Sequence, residues 1–140
     1  MNSENNLGPS STKDKPIIAT KPAGHSQLGQ LPEWPPRTIA VLSTIDGGPH
    51  AIPVAAPVRA GDQRILVSLE RTRGSLARLR ANPHVALAIL TGGNCAFTAL
   101  GRARIVQESM PDAANYVAVE IDVEEIDDHR SPGVVVESGV

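Results

Sequence analysis

The sequence is poor in aromatic residues, in cysteine and, after position 21, in lysine. Of its 140 residues only Trp34, Phe97 and Tyr116 carry aromatic rings, Cys95 is the one cysteine, and the three lysines are Lys13, Lys15 and Lys21. A single cysteine makes neither an internal disulfide nor a multi-thiolate zinc site, which excludes a stapled secreted scaffold and a zinc ribbon. A reducing, cytoplasmic compartment is expected. No apolar run approaches the roughly 20 residues that span a bilayer, and the opening MNSENNLGPSSTKDK lacks the apolar stretch of a secretion signal. No membrane insertion is expected. Three rings are too few for a single-strand stacking platform, and a net charge of -2 does not suit a duplex-binding stripe, so nucleic acid is not an expected partner. His50, His84, His129 and Cys95 share no ligand spacing, and Gly-x-Ser-x-Gly is absent, so neither a metal site nor serine hydrolysis is expected.

The small net charge hides a segregated layout. Arg59 to Arg104 contains eight arginines against Asp62 and Glu70, whereas Glu108 to Glu137 contains nine acids against Arg130. The middle and the end of the chain should therefore attract each other or a matching neighbour.

Residues 1–30, rich in Ser, Asn, Gly, Pro and Lys, read as a disordered tail, 31–130 as the folded domain and 131–140 as a C-terminal tail. Thr38 to Ile45 is β-branched and ends in Asp46-Gly47-Gly48-Pro49, the chemistry of a hairpin turn. His50 to Ala60 follows as a second strand, in which Pro53 and Pro57 lack ladder donors and demand an exposed or bulged side. Gly61-Asp62-Gln63 then turns the chain into a third strand, Arg64 to Leu69. At Ser75 to Ala81 the period changes to that of one short helix, with Ser75 as N-cap or first-turn residue and Asn82-Pro83 as its stop. Val85 to Leu90 reads as a buried strand, and Cys95 to Val106 as a long one that Gly101 bends. The eleven residues from Tyr116 alternate strictly, with Val117, Val119, Ile121 and Val123 on one face and Glu120, Asp122 and Glu124 on the other. Arg102 and Arg104 share one strand face and would meet those acids if the two strands pair antiparallel. Residues 111–115 have room for a single turn. Trp34, between Pro32 and Pro35-Pro36, is expected to seal the barrel's end or a dimer seam.

Six strands linked mostly by hairpins, with one short helix, predict a small antiparallel β-barrel. About 100 residues with so little aromatic payload make a marginal core, and a homodimer with a large shared interface is the expected remedy.

One stretch points to chemistry. Between Ser68 and Arg80 a strand ends, Arg71 and Arg73 follow, and Gly74-Ser75 open the helix, so free N–H groups, a hydroxyl and guanidinium forks converge at a helix start. Such donors suit a phosphate. The residues alone equally allow Ser75 to cap the helix while the arginines pair with the acidic end of the chain.

Taken in order, Ile39 to Val54, Arg64 to Leu69 and Arg71 to Leu87 resemble the pyridoxamine 5'-phosphate oxidase-like family of FMN-binding split barrels, over roughly residues 31–130. The resemblance implies a six-stranded antiparallel split barrel, homodimeric, with FMN between the subunits. It implies that Arg71, Arg73, Gly74 and Ser75 hold the cofactor phosphate, and that Pro53, Val54, Ala55, Ala56, Val67, Ser68 and Leu69 lie against its ring. Where many relatives carry lysine, Ser75 stands. The small Ala55 and Ala56 leave space on the ring face for a substrate or for the deazaflavin F420. The expected function is FMN-dependent oxidation or reduction of a small molecule. The alternatives are an F420-dependent oxidoreductase or a non-catalytic, cofactor-binding dimer. No catalytic side chain is assigned, because the flavin carries the electrons.

Overall fold

The computed structural model describes residues 26–92 and 95–130. Its elements are β1 (Ser26–Gln27), β2 (Ile39–Ile45), β3 (Pro49–Ala55), β4 (Val58–Gly61), β5 (Arg64–Glu70), α1 (Gly74–Ala81), β6 (His84–Thr91), β7 (Cys95–Gln107) and β8 (Tyr116–Asp128). The strands form one antiparallel sheet in the order β3-β2-β6-β7-β8-β5-β4, with β1 added on β8.

Five of the six expected strands are present as read, and the sixth, His50 to Ala60, is two strands, so that with β1 the sheet has eight strands and not six. At Ala56 the backbone enters the left-handed region (φ 52°), and with Pro57 it separates β3 from β4. This two-residue link has a large topological effect, because β3 and β4 occupy opposite ends of the sheet order. Joining them covalently rolls the sheet into a barrel. A second difference lies at the start, where Ser26 and Gln27 pair with Asp128 and Asp127, within the segment expected to be a disordered tail. Residues 1–25 of that tail and the tail at 131–140 lie outside the described residues.

Alternation builds the core. Leu42, Ile65, Leu87, Ile89, Val119 and Ile121 point inward from their strands and are buried, while their sequence neighbours face outward or lie at the boundary. Two residues interrupt the β7–β8 ladder as bulges, Glu124 on β8 and Val106 on β7, each left without an opposite number. Beside the first bulge, Gly101 lies so close to β8 that a Cβ there would collide with the Asp122 carbonyl. Only glycine fits the close approach.

The expected cross-strand charges are in register. Arg104 lies opposite Glu120 and Arg102 opposite Asp122; Arg104 Nε donates to Glu120 at 3.0 Å, and Arg64 of β5 reaches the same carboxylate at 3.2 Å. With its side chain only 12% exposed, Glu120 ties three adjacent strands together. At one end of the barrel Trp34 packs on Phe97 at a centroid separation of 5.7 Å, and its indole N–H donates to the Pro57 carbonyl at 2.8 Å. The ring closes the barrel there, as expected.

Helix α1 packs on β2 and β7 through buried Leu76 and Leu79. Arg78 and Arg80 in its last turn complement the dipole, and Arg78 donates to the Asp46 carbonyl at the β2–β3 hairpin. Asn82 and Pro83 end it, as expected. No described helix is long and apolar enough to cross a membrane.

Candidate functional site

The barrel is not zipped all the way round. β4 pairs with β5 only at Arg64, Ile65 and Leu66, so the second half of β5 has no neighbour on that side. Across the gap stands β3, the other end of the sheet, and no ladder joins the two.

Hydrogen-bond parity shows what faces the gap. Ala56 N–H donates to the Thr38 carbonyl, so in the β2–β3 register the even-numbered residues of β3 turn their backbone groups to β2. Ala51, Pro53 and Ala55 turn theirs outward. This explains Pro53, whose missing N–H belongs to the free edge and removes no ladder bond. On β5, Val123 N–H donates to Gln63 O and Arg71 N–H to Asn115 O, so odd positions serve β8 and even positions face away from it. Arg64 and Leu66 meet β4, whereas Ser68 and Glu70 meet the gap. The Glu70 carbonyl is taken by Arg73 N–H at 3.0 Å. Free main-chain donors at Ala55, Ser68 and Glu70, and acceptors at Pro53, Ala55 and Ser68, therefore line the seam.

The seam opens into a cleft of about 340 Å³ lined by Ile52, Pro53, Val54, Ala55, Ser68, Leu69, Glu70, Arg73 and Tyr116. That volume is at the lower end of the usual range for ligand pockets, roughly 300–1,000 Å³. Its walls are apolar on the β3 side, and its charged pair, Glu70 and Arg73 at 3.8 Å, is half-exposed.

Six of the residues singled out in the sequence meet in this cleft: Pro53, Val54, Ala55, Ser68, Leu69 and Arg73. Val54 and Leu69 bury their side chains in the core and contribute main chain. Ala56 stands exposed at the turn just beyond, and Val67 points into the barrel. Gly74 and Ser75 form the first turn of α1, which starts immediately after Arg73.

That helix start is open in a particular way. Arg73 occupies the N-cap position without a side-chain hydrogen bond, so Ser75 is a first-turn residue and not the cap. Leu76 N–H returns to Arg73 O, whereas the N–H groups of Gly74 and Ser75 have no intrahelical acceptor. A Cβ on Gly74 would meet nothing within 4 Å. The Ser75 hydroxyl is 1% exposed and without a hydrogen-bond partner, a loss of about 1–3 kcal/mol for a buried donor left unmade. Arginine, free amides and an unused hydroxyl are an anion-binding donor set.

Arg71 does not join them. Its guanidinium turns to the β7–β8 connection and donates to the carbonyls of Glu108 and Ala114. Sequence reasoning missed Ile52, Glu70 and Tyr116. The last two lie opposite each other in the β5–β8 register, a neighbourhood only the strand pairing discloses.

Elsewhere, Asp128 binds Arg130 through Nη2 at 2.7 Å and Nε at 2.9 Å, and these bonds hold its carboxyl below the usual range. Burial pushes the Cys95 thiol up, so it stays protonated and weakly nucleophilic. Among the described residues no group of three or more His, Cys, Asp or Glu could hold a metal ion.

Comparison with known proteins agrees with this geometry. The sequence profile of the family described as pyridoxamine 5'-phosphate oxidase matches residues 32–130. Among solved structures, general stress protein 26 of Bacillus anthracis str. Sterne superposes with a TM-score of 0.56 at 20% identity, covering 68% of this chain and 87% of that one. A structure named F420 reductase gives 0.56 at 14% identity, covering 65% and 90%. A protein of Mesorhizobium loti named FAD-binding gives 0.54 at 16% identity, covering 64% and 83%. At these identities the likeness is one of fold, the split barrel. Comparison with curated proteins gave no match.

Proposed function

The chain belongs to the pyridoxamine 5'-phosphate oxidase family, and from that premise we propose that it is a flavin-dependent oxidoreductase that uses FMN to oxidise or reduce a small molecule. The observation that carries this reading is the unzipped seam with an open helix start at its end. A flat heterocycle fits between Ile52–Ala55 and Ser68–Glu70, where the outward amides and carbonyls match its polar edge. Its phosphate fits Arg73 and the N–H groups of Gly74 and Ser75. A turn of the Ser75 hydroxyl toward that phosphate would recover the bond it lacks.

When bound, the flavin supplies hydride or electron transfer. The chain's own contribution is to anchor the phosphate, to press the ring between β3 and β5, and to present Ser68 and Ala55 main-chain dipoles to the ring's polar edge.

A second reading, use of F420, draws on the small exposed side chains of Ala55 and Ala56 and on the fold shared with the structure named F420 reductase. Both readings include a homodimer. The outward face of β2 and β6 exposes Ile39 at 63% and Leu90 at 64%, with the Val41 and Ala88 pair beside them. A second copy would cover this apolar surface.

An absorption spectrum tests the proposal. Purified protein that is yellow and releases FMN on denaturation supports the first reading. Quenched or shifted F420 fluorescence on titration supports the second. Failure to bind either cofactor overturns both. Sedimentation equilibrium as a monomer would reject the dimer.

A further inference from the structure

We infer that Arg71 is a positioning residue, which clamps the β7–β8 connection against the end of β5 and so sets one wall of the cleft, and that it is not a ligand of the cofactor phosphate. This inference takes the seam cleft from the function proposed above.

One side chain holds both ends of the connection. Arg71 Nη2 donates to Glu108 O where the connection leaves β7 and, at 3.1 Å, to Ala114 O where it returns to β8. The Arg71 main-chain N–H adds a bond to Asn115 O. Between these anchors the connection is closed on itself. Ala113 N–H donates to Met110 O at 3.1 Å, Tyr116 N–H to Ala113 O at 2.9 Å, and Met110 N–H to Tyr116 O at 3.3 Å. One point of this unit lines the cleft and a second holds a residue that does. Tyr116, 40% exposed, supplies the only aromatic ring in its lining, and Met110 Sδ accepts the Ser68 hydroxyl at 3.5 Å. The guanidinium suits the task because its N–H groups lie in one rigid plane and serve two carbonyls at once. Arg73, two residues on, lines the cleft and makes no hydrogen bond to this connection. Adjacent arginines thus have separate roles, one in the shape of the site and one in its charge.

Hydrogen exchange of the full-length protein without added cofactor, and titrations with FMN and with riboflavin, separate these roles. In Arg71→Gln the amides of Met110, Ala113 and Tyr116 should exchange about tenfold faster, as expected for losing one charge-assisted anchor, while Arg73→Gln leaves them unchanged. Binding should divide the other way. Arg71→Gln weakens FMN and riboflavin by the same factor, whereas Arg73→Gln weakens FMN about tenfold more than riboflavin, which has no phosphate. Arg71→Lys keeps the charge but has a shorter reach and no fork; it should also quicken exchange, and it serves if the glutamine variant folds poorly. Unchanged exchange in both Arg71 variants overturns the clamp. So does a loss in Arg71→Gln confined to FMN, which would mark a phosphate ligand. If the wild-type protein binds neither flavin, the proposed function fails, and the exchange data alone still decide the clamp.

Discussion

The β7–β8 wall and the β3–β5 seam are built from similar strands and behave oppositely. On the wall, backbone pairing is continuous across two bulges, Gly101 allows close approach, and Glu120 holds Arg64 and Arg104 over three strands. At the seam, two strand edges face each other with their backbone groups unspent, and a proline deletes one of the donors. The wall spends its backbone groups on the barrel's own ladder. The seam keeps the polar capacity that a ligand requires, because backbone groups already paired in a ladder have nothing left for one.

Substitutions can break this contrast on either side, and the largest effect should fall on the wall. Gly101→Ala puts a methyl into the Asp122 carbonyl and should cost about 3 kcal/mol or more, seen as a lowered denaturation midpoint or as failure to fold. An unchanged midpoint would mean that the β7–β8 contact is looser than described. At the seam, the Arg73→Ala/Ser75→Ala double variant should weaken FMN about tenfold or more with little change in unfolding free energy. Ser75→Ala alone should leave stability equal or up to about 1 kcal/mol higher, since it removes an unpartnered buried hydroxyl. Flavin titration beside chemical denaturation separates the two quantities; parallel losses in both would erase the contrast.

A smaller effect tests the wall's far end. The folded carboxyl of Asp128 is depressed below its unfolded value, so its contribution is present above about pH 4 and is lost as the pH falls through the folded value. Asp128→Asn should therefore cost about 1 kcal/mol at pH 7, with the difference from wild type vanishing in strong acid. Denaturation curves at several pH values would show the two proteins converging; a constant gap would assign the effect to packing. Smallest of all, Pro53→Ala should change stability by only about 0.5 kcal/mol, because the N–H it restores faces the seam and not β2. A loss above about 2 kcal/mol would show that the parity is wrong.

Most of the strands, those of the wall included, were legible in the sequence. Strict alternation from Tyr116, the β-branched run from Thr38 and the Asp46–Pro49 turn identify strands because each depends on neighbours in the chain. The pairing of Arg104 with Glu120 followed from two alternating strands lying antiparallel. The seam was legible only in part. Pro53 and Pro57 signalled a free edge, but the break at Ala56 gives no local sign: alanine at positive φ is a conformation that tertiary structure imposes. Glu70 and Tyr116 lie 46 positions apart and meet only through register. Arg71 and Arg73 are alike in sequence, and their separate directions depend on what the β7–β8 connection offers to each.

The two-residue link at Ala56-Pro57 fixes how the mouth of the site can vary. It fastens the two margins of the sheet at one point, so they behave like the blades of a peg sharing a spring: separation is smallest beside the link and free to grow only with distance from it. A guest larger than the present space would have to be accommodated at the Ile52 and Glu70 end. Lengthening the link by even a few residues should release the blades and abolish a defined bite while leaving each blade intact.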